Sequence, residues 1–398
     1  MNSWEVKIKK KVALDLSIKS KAANMCEKLN PFLKKVSAKP FVGGSVAKET
    51  NLPESFDVDI FVIFNKKGDL SNLLEKALKN SGFKFKRVHG SRDYFQIKRD
   101  GVVFELVPCL NLSLLEQENV IDQSPEHVKY FLSKSDPKVR EQVRITKLFF
   151  KANKLYGAES HIAGFSGHVL DLLVLRYGSF FNLLKASLKW KKKVIVDLES
   201  QLKNPLMQLD KSKLASPLIV VDPLDKFRNS SAALSNEKFG EFKSIAKEFI
   251  NNPSLDFFVE RSVSFDEFVV IEAKPLSGKE SVVFTKALKA FQFFLRKLEE
   301  YDFKVSDFKI DYGKPCKLGV KVKSVKLNDY KIVKGPPVSM DVHVQRFKQD
   351  HPNFFEEEGF VFAKVKRKFT DLDDLLVFLC KERYVLSRVG SCEVAGKP

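Results

Sequence analysis

Aspartates 57 and 59 stand two residues apart at the head of an apolar run, Asp57-Val58-Asp59-Ile60-Phe61-Val62-Ile63-Phe64. Side chains alternate along an extended chain, so the two acids share one face while Val58 and Ile60 take the other. Carboxylates held side by side repel, and one takes up a proton unless a cation lies between them. Divalent-metal binding is the chemistry such a pair supports. Just upstream, Gly43-Gly44-Ser45 forms a turn able to offer N–H groups and a hydroxyl to a phosphate. A third acid, Glu105, sits between Phe104 and Leu106 in the run Val102–Pro108. A carboxylate there is costly to bury without a compensating cation. Each feature also has a plainer reading: a solvated loop end for the paired aspartates, a water-facing edge for Glu105.

The elements that must position these residues can be read from periodicity and punctuation. Residues 5–37 read as one helix, with apolar positions at helical intervals and Pro31 and Pro40 at its end. Residues 46–50 suggest a short helix opening from the glycine turn, and 57–64 a strand. A helix over 71–79 follows, with Ser71 as its cap. Residues 83–88 and 94–98 read as strands, and Asp100-Gly101 turns the chain into 102–108. This order of helix, Gly-Ser turn, strand with paired acids and later strand with one acid resembles the arrangement of the nucleotidyltransferases of the DNA polymerase β superfamily.

Beyond residue 136 the texture becomes helical. Residues 139–157 are amphipathic, with Arg140, Arg144, Lys147, Lys151 and Lys154 on one face and Gly157 suited to the left-handed end. That basic stripe suits a triphosphate or an RNA backbone, or is a solvated face. Lys147 and Tyr156 lie nine apart, so an unbroken helix would set them on opposite sides. Gly164-Phe165-Ser166-Gly167 precedes two apolar helices, the second ending in the basic cluster 189–193 around Trp190. A strand and turn through Asp222-Pro223 lead to a helix expected to start near Ser230 or Ser231. The last third reads as α+β, with lysines alternating against apolar residues at Lys317, Lys321, Lys323 and at Lys364, Lys366, Lys368. Such faces suit docking of RNA, or simply a soluble sheet.

The chain has 398 residues and a formal net charge of +19, with pI near 9.5. Its length allows two to four domains, and the surplus favours a polyanionic partner. No apolar run approaches the roughly 18 residues of a membrane span, so nucleic acid is expected and a membrane is not. Five scattered cysteines without a C-x-x-C pair argue against a disulfide framework or structural zinc, and for a cytoplasmic setting.

The sequence resembles the archaeal, class I, CCA-adding enzymes. The resemblance is carried by residues 44–64, 104–109, 121–131, 151–180, 220–235, 335–347 and 364–376, in family order. It implies an α+β multidomain fold with a polymerase-β-like head (1–135), a helical neck (136–255) and an α+β body and tail (256–398). It implies that Asp57, Asp59 and Glu105 bind two magnesium ions. Ser45 and Lys48, with Gly44, would hold the triphosphate. His127, Lys147 and Tyr156 would contact the incoming nucleotide, and Arg228 would face its base. The implied activity is template-independent addition of C, C and A to the tRNA 3′ end from CTP and ATP. The body and tail would grip the acceptor stem and T-arm, and a homodimer is left open. A poly(A) polymerase, an oligoadenylate synthetase or a catalytically silent RNA-binding protein are the competing expectations. The chain departs from the family at Glu105, where Asp is usual, at Gln123-Ser124 and Glu126, and at His168, where Tyr is usual.

Overall fold

The computed structural model describes residues 3–53, 56–90, 92–111, 113, 121–260 and 262–396. The chain divides into two compact units, residues 1–261 and 262–398. In the first unit, helices α1 (Ser3–Lys11) and α2 (Ser17–Lys34) precede β1 (Ala38–Val42) and the single turn α3 (Gly44–Ala47). Then come β2 (Val58–Phe64), α4 (Leu70–Lys79), β3 (Lys86–Val88), β4 (Tyr94–Arg99) and β5 (Val102–Leu110). The strands form one five-stranded sheet in the order β1-β2-β5-β4-β3. Only the central β2–β5 pair is parallel. Buried alternate residues Val58, Ile60, Val62, Phe95, Phe104 and Leu106 pack this sheet on α2 and α4.

The helical part of the same unit comprises α5 (Ser124–Lys134), α6 (Pro137–Ala152), α7 (Gly167–Tyr177), α8 (Phe180–Leu188) and α10 (Asn236–Asn251). The short elements β6 (Val194–Val196), α9 (Pro205–Gln208) and β7 (Leu218–Val220) lie between the last two helices, and β6 and β7 pair in parallel. Its core is aromatic: Phe149 meets Phe180, Phe249 and Phe258 at 5.1–5.5 Å between ring centroids.

Where one helix was expected over 5–37, there are two. Ile8 and Val12 are buried in the helical core, whereas Ile18, Ala22, Met25, Leu29 and Leu33 are buried against the sheet. One straight rod could not serve both cores, and the chain breaks at 12–16, where the Asp15 carboxylate accepts from the Ser17 N–H at 2.9 Å. Pro31 lies inside α2 rather than ending it. Asp69, not Ser71, caps α4, accepting from the Asn72 N–H at 3.0 Å, while the buried Ser71 donates to the Asp93 carbonyl. Helix α6 stops at Ala152, with Lys154 rather than Gly157 in the left-handed conformation (φ 55°). Helix α10 begins at Asn236, capped by Ser235. Asn229 and Ser231 are spent on strand β7, bonding to the Val220 N–H and the Leu218 carbonyl. Trp190 is core, stacked on Phe239 at 5.7 Å.

The second unit holds β8 (Val269–Pro275), α11 (Glu280–Glu300), β9 (Val305–Asp311), β10 (Cys316–Val322) and β11 (Tyr330–Pro337). It continues through α12 (Asp341–Asp350), β12 (Phe354–Glu357), β13 (Phe360–Lys366), α13 (Leu372–Cys380), α14 (Arg383–Leu386) and β14 (Val389–Gly396). One antiparallel sheet runs β14-β8-β10-β9 and another β11-β13-β12. Leu318 and Val320 face inward with no exposure. Opposite them Lys317 and Lys321 pair with Glu272 and Glu267 at 2.7 and 2.6 Å. Lys364 lies over the Tyr330 ring. The five cysteines are free thiols, and Cys380 and Cys392 touch at 2.6 Å. Among the described residues, no helix is long and apolar enough to cross a membrane.

The buried Arg144 of α6 holds the first unit together: its guanidinium donates to the Val12 carbonyl at 2.8 Å and to the Glu49 carbonyl at 2.7 Å. Arg144→Ala should strand both oxygens and lower unfolding stability by about 2–3 kcal/mol, read from urea denaturation midpoints.

Candidate active site

The parallel pairing of β2 with β5 sets Asp59 directly opposite Glu105. Asp57 stands exposed one residue before β2 begins. Burial, then the charges of Glu105 and Asp57, push the Asp59 carboxyl up to about 7, with Lys48 pulling the other way. Glu105 and Asp57 are thus both near enough to act on the Asp59 charge, and the strand register places Glu105 beside it. Gln96, in register with Glu105 on β4, donates to its Oε1 at 2.8 Å.

The glycine turn packs straight onto this group. The Gly43 N–H donates to the Asp59 carbonyl at 2.8 Å. Gly44 has φ 57°, and a Cβ there would lie 1.7 Å from Asp59 Oδ2. Only glycine leaves room for the carboxylate at that close approach. Ser45 follows, half-buried, and its carbonyl accepts from the Thr50 N–H at 2.9 Å.

Lys48 is buried and its ammonium donates to Asp171 Oδ2 at 2.8 Å. Lys147, also buried, reaches Asp171 Oδ1 at 3.2 Å and donates to Thr50 Oγ1 at 2.8 Å. Burial opposes ionisation of Asp171, but Lys147 and Lys48 outweigh it and hold its carboxyl below the usual range. Arg140 pairs with Glu49 at 2.9 Å. The basic stripe of α6 is thus neither a solvated face nor an open row of cations: at Arg140, Arg144 and Lys147 it stitches α6 to residues 49–50.

The end of α6 at Ala152 brings Tyr156 back toward Lys147. A Cβ on Gly167 would meet Tyr156 Oη at 2.7 Å and Lys147 Cε at 3.7 Å, so both side chains converge on the start of α7. Burial pushes the Tyr156 phenol up to about 12, with Asp171 adding to it.

His127 and Arg228 form a second group around Asp222, which has no exposure. His127 Nε2 lies 2.8 Å from Asp222 Oδ1 and His168 Nε2 3.3 Å from Oδ2. Arg228 and Ser230 donate to the same Oδ2, each at 3.0 Å. The two imidazoles meet edge to face at 4.6 Å. Burial works against the Asp222 charge, yet the bonds from His127 and His168 hold its carboxyl far below the usual range. Helix α5, which carries His127, is tied to the end of β5 by Asp122, which pairs with Arg92 and accepts from the Leu110 N–H.

Two sets of side chains could hold a metal ion. Asp59, whose charge Glu105 and Asp57 both oppose while Lys48 is committed to Asp171, suits a hard divalent cation taking oxygen ligands. Among the described residues, His127, His168 and Asp222 form the group whose ligand atoms all lie within 4.8 Å of one another. There Arg228 already supplies positive charge. Asp171, Asp222 and His168 were absent from the expected site residues. A lone acid in the apolar run Val169–Val174 was the available signal for Asp171.

The sheet and its acids place the chain among the nucleotidyltransferases. The nucleotidyltransferase domain family matches residues 20–125. A cytoplasmic RNA terminal U-transferase superposes with a TM-score of 0.51 at 13% identity, covering 65% of this chain and 98% of its own. That likeness shows the fold alone. The second domain of tRNA nucleotidyltransferases matches residues 141–259, and the C-terminal domain of CCA-adding enzymes matches 268–384. The CCA-adding enzyme of Nanoarchaeum equitans is 34% identical over 347 residues, 84% of this chain and 85% of that enzyme. That of Methanocaldococcus jannaschii is 34% identical over 238 residues, 57% of this chain and 53% of that enzyme. The chain belongs to the CCA-adding enzyme family.

Two outcomes follow from this geometry. Gly44→Ala should abolish nucleotide transfer while leaving the far-ultraviolet circular dichroism unchanged, because the added carbon displaces the Asp59 carboxylate. Burial, against the Asp222 hydrogen bond and with Lys48 and His127 adding repulsion, lowers the His168 imidazole to about 4. The unfolded chain, with an ordinary histidine near 6.5, binds this proton first. Its stabilising contribution is therefore complete above about pH 6.5 and is lost as pH falls toward 4. Melting curves of His168→Gln should show a shallower stability loss across that window than wild type.

Proposed function

We propose that the chain adds C, C and A to the 3′ end of tRNA from CTP and ATP without a nucleic-acid template. The observation that carries this reading is the Asp59–Glu105 register beneath the Gly44 turn, in a chain of CCA-adding descent. The terminal 3′-hydroxyl gives up its proton to solvent as its oxygen bonds to the α-phosphorus, the bond from that phosphorus to the bridging oxygen breaks, and pyrophosphate leaves. Asp57, Asp59 and Glu105 would hold the metal, two magnesium ions in our reading. When bound, these supply positive charge at the phosphates and a more acidic attacking hydroxyl.

The remaining steps belong to the chain's own residues. Gly44 and Ser45 face the triphosphate from the turn, and Lys48 and Lys147 offset its charge. Tyr156, brought back to Lys147 at the start of α7, lines the same pocket. His127 and Arg228, oriented by Asp222, contact the sugar and base. We assign residues 1–135 to catalysis, 136–255 to nucleotide binding and 256–398 to the acceptor stem and T-arm, recognised by shape and phosphate contacts. A cytoplasmic setting fits these substrates.

The test is incorporation of labelled CTP and ATP into tRNA lacking its terminus. Two cytidylates and one adenylate, then arrest, are expected, whereas a long adenylate tail would assign the chain to a polyadenylating activity. Asp59→Ala should abolish both additions while tRNA still binds in a filter or mobility assay. Turnover retained in that variant would refute the assignment.

A further inference from the structure

Asp171 lies at the fifth position of α7, in a stretch whose other members, Val169, Leu170, Leu172, Leu173 and Val174, are apolar and buried. Its exposure is 2%, and the two lysines on it are 8% and 4% exposed. They come from different elements: Lys48 from the end of the glycine turn, Lys147 from the middle of α6. A packing role does not call for three charged groups here, because apolar side chains of similar size would be no less stable.

We propose that Asp171 is a positioning residue for the substrate's phosphates, holding the Lys48 and Lys147 ammonium groups together, charged and aimed at one place. The inference rests on the phosphate roles proposed above for those lysines. Two lysines brought side by side out of water repel, and desolvation favours the neutral amine in each. A neutral amine offsets no phosphate charge. With the carboxylate between them the group carries one net positive charge instead of two, and both ammoniums are retained. An ammonium has three donors. Lys48 gives one to Asp171, and Lys147 gives one to Thr50 while lying beside the carboxylate. The ligand such a group takes is a polyphosphate: the triphosphate of CTP or ATP on the way in, pyrophosphate on the way out.

Asp171→Asn keeps the shape and removes the charge. It should raise KM for CTP and ATP, and Ki for inorganic pyrophosphate as competitive inhibitor, by about tenfold to a hundredfold. KM for tRNA should stay within about twofold, and Asp171→Glu should recover part of the loss. In a Lys147→Ala background the same substitution should cost much less, because residues acting through one another are not additive.

An equal cost in both backgrounds would overturn the proposal. So would an Asp171→Asn enzyme whose pyrophosphate Ki is unchanged while Lys48→Ala and Lys147→Ala raise it. Lysine variants without effect on pyrophosphate would overturn the phosphate reading itself, and this inference with it. If Asp171→Asn fails to fold, Asp171→Glu decides: unchanged nucleotide KM and pyrophosphate Ki refute the positioning role.

Discussion

Taking an ammonium group out of water costs several kcal/mol unless an acid and further hydrogen bonds receive it. Among the described residues the first unit buries two such groups, and one carboxylate receives both. Lys48, Lys147 and Asp171 come from three elements far apart in sequence. Their pairing fixes how α3, α6 and α7 approach one another. The segment between Lys48 and Thr50 is then held from several directions: Lys147 takes Thr50, while Arg140, Arg144 and Lys19 all take Glu49, itself at φ 57°. The glycine turn that backs onto Asp59 is thus set by the helical layer as much as by its own sheet. A short turn has little rigidity of its own, and this one borrows it from buried charge.

The start of α7 extends that constraint to the other half of the site. Gly167, His168 and Asp171 fall one and four residues apart, so they crowd one end of the helix. Gly167 makes room for Tyr156 and Lys147, Asp171 holds the lysines, and His168 reaches Asp222. Asp222 in turn collects His127 and Arg228. Displacing α7 would disturb both acid-centred networks together. The two halves of the candidate site are therefore coupled through one helix.

Much of the sheet could be read from the sequence because its causes are local. Alternation marked β2 and β5, and Asp100-Gly101 marked the hairpin between β4 and β5. The parallel register that faces Asp59 with Glu105 is not local and appears only in the folded sheet. Three features were hidden for a physical reason. The break at 12–16 exists because two separate cores compete for neighbouring residues, and periodicity cannot reveal which core a helix serves. The stripe on α6 has the spacing of an exposed basic face, but its partners lie about a hundred residues upstream. Asp171 and Asp222 draw their importance from what converges on them, and convergence is a property of the fold.

Glu105 shows how such convergence absorbs a local change. Compared with an aspartate at this position, the extra methylene gives the acid another rotatable bond and a longer reach toward Asp59. Left alone, that freedom would blur the position of its carboxylate oxygens, because a longer side chain loses more entropy when it is fixed. Gln96 stands opposite on the neighbouring strand and binds Oε1 at 2.8 Å, so the added torsion is restrained by a cross-strand hydrogen bond. The antiparallel β4–β5 register sets the two side chains opposite each other, within reach of that bond. The longer acid and its amide partner therefore read as one unit: the strand pairing that orients the acid also limits the cost of its length.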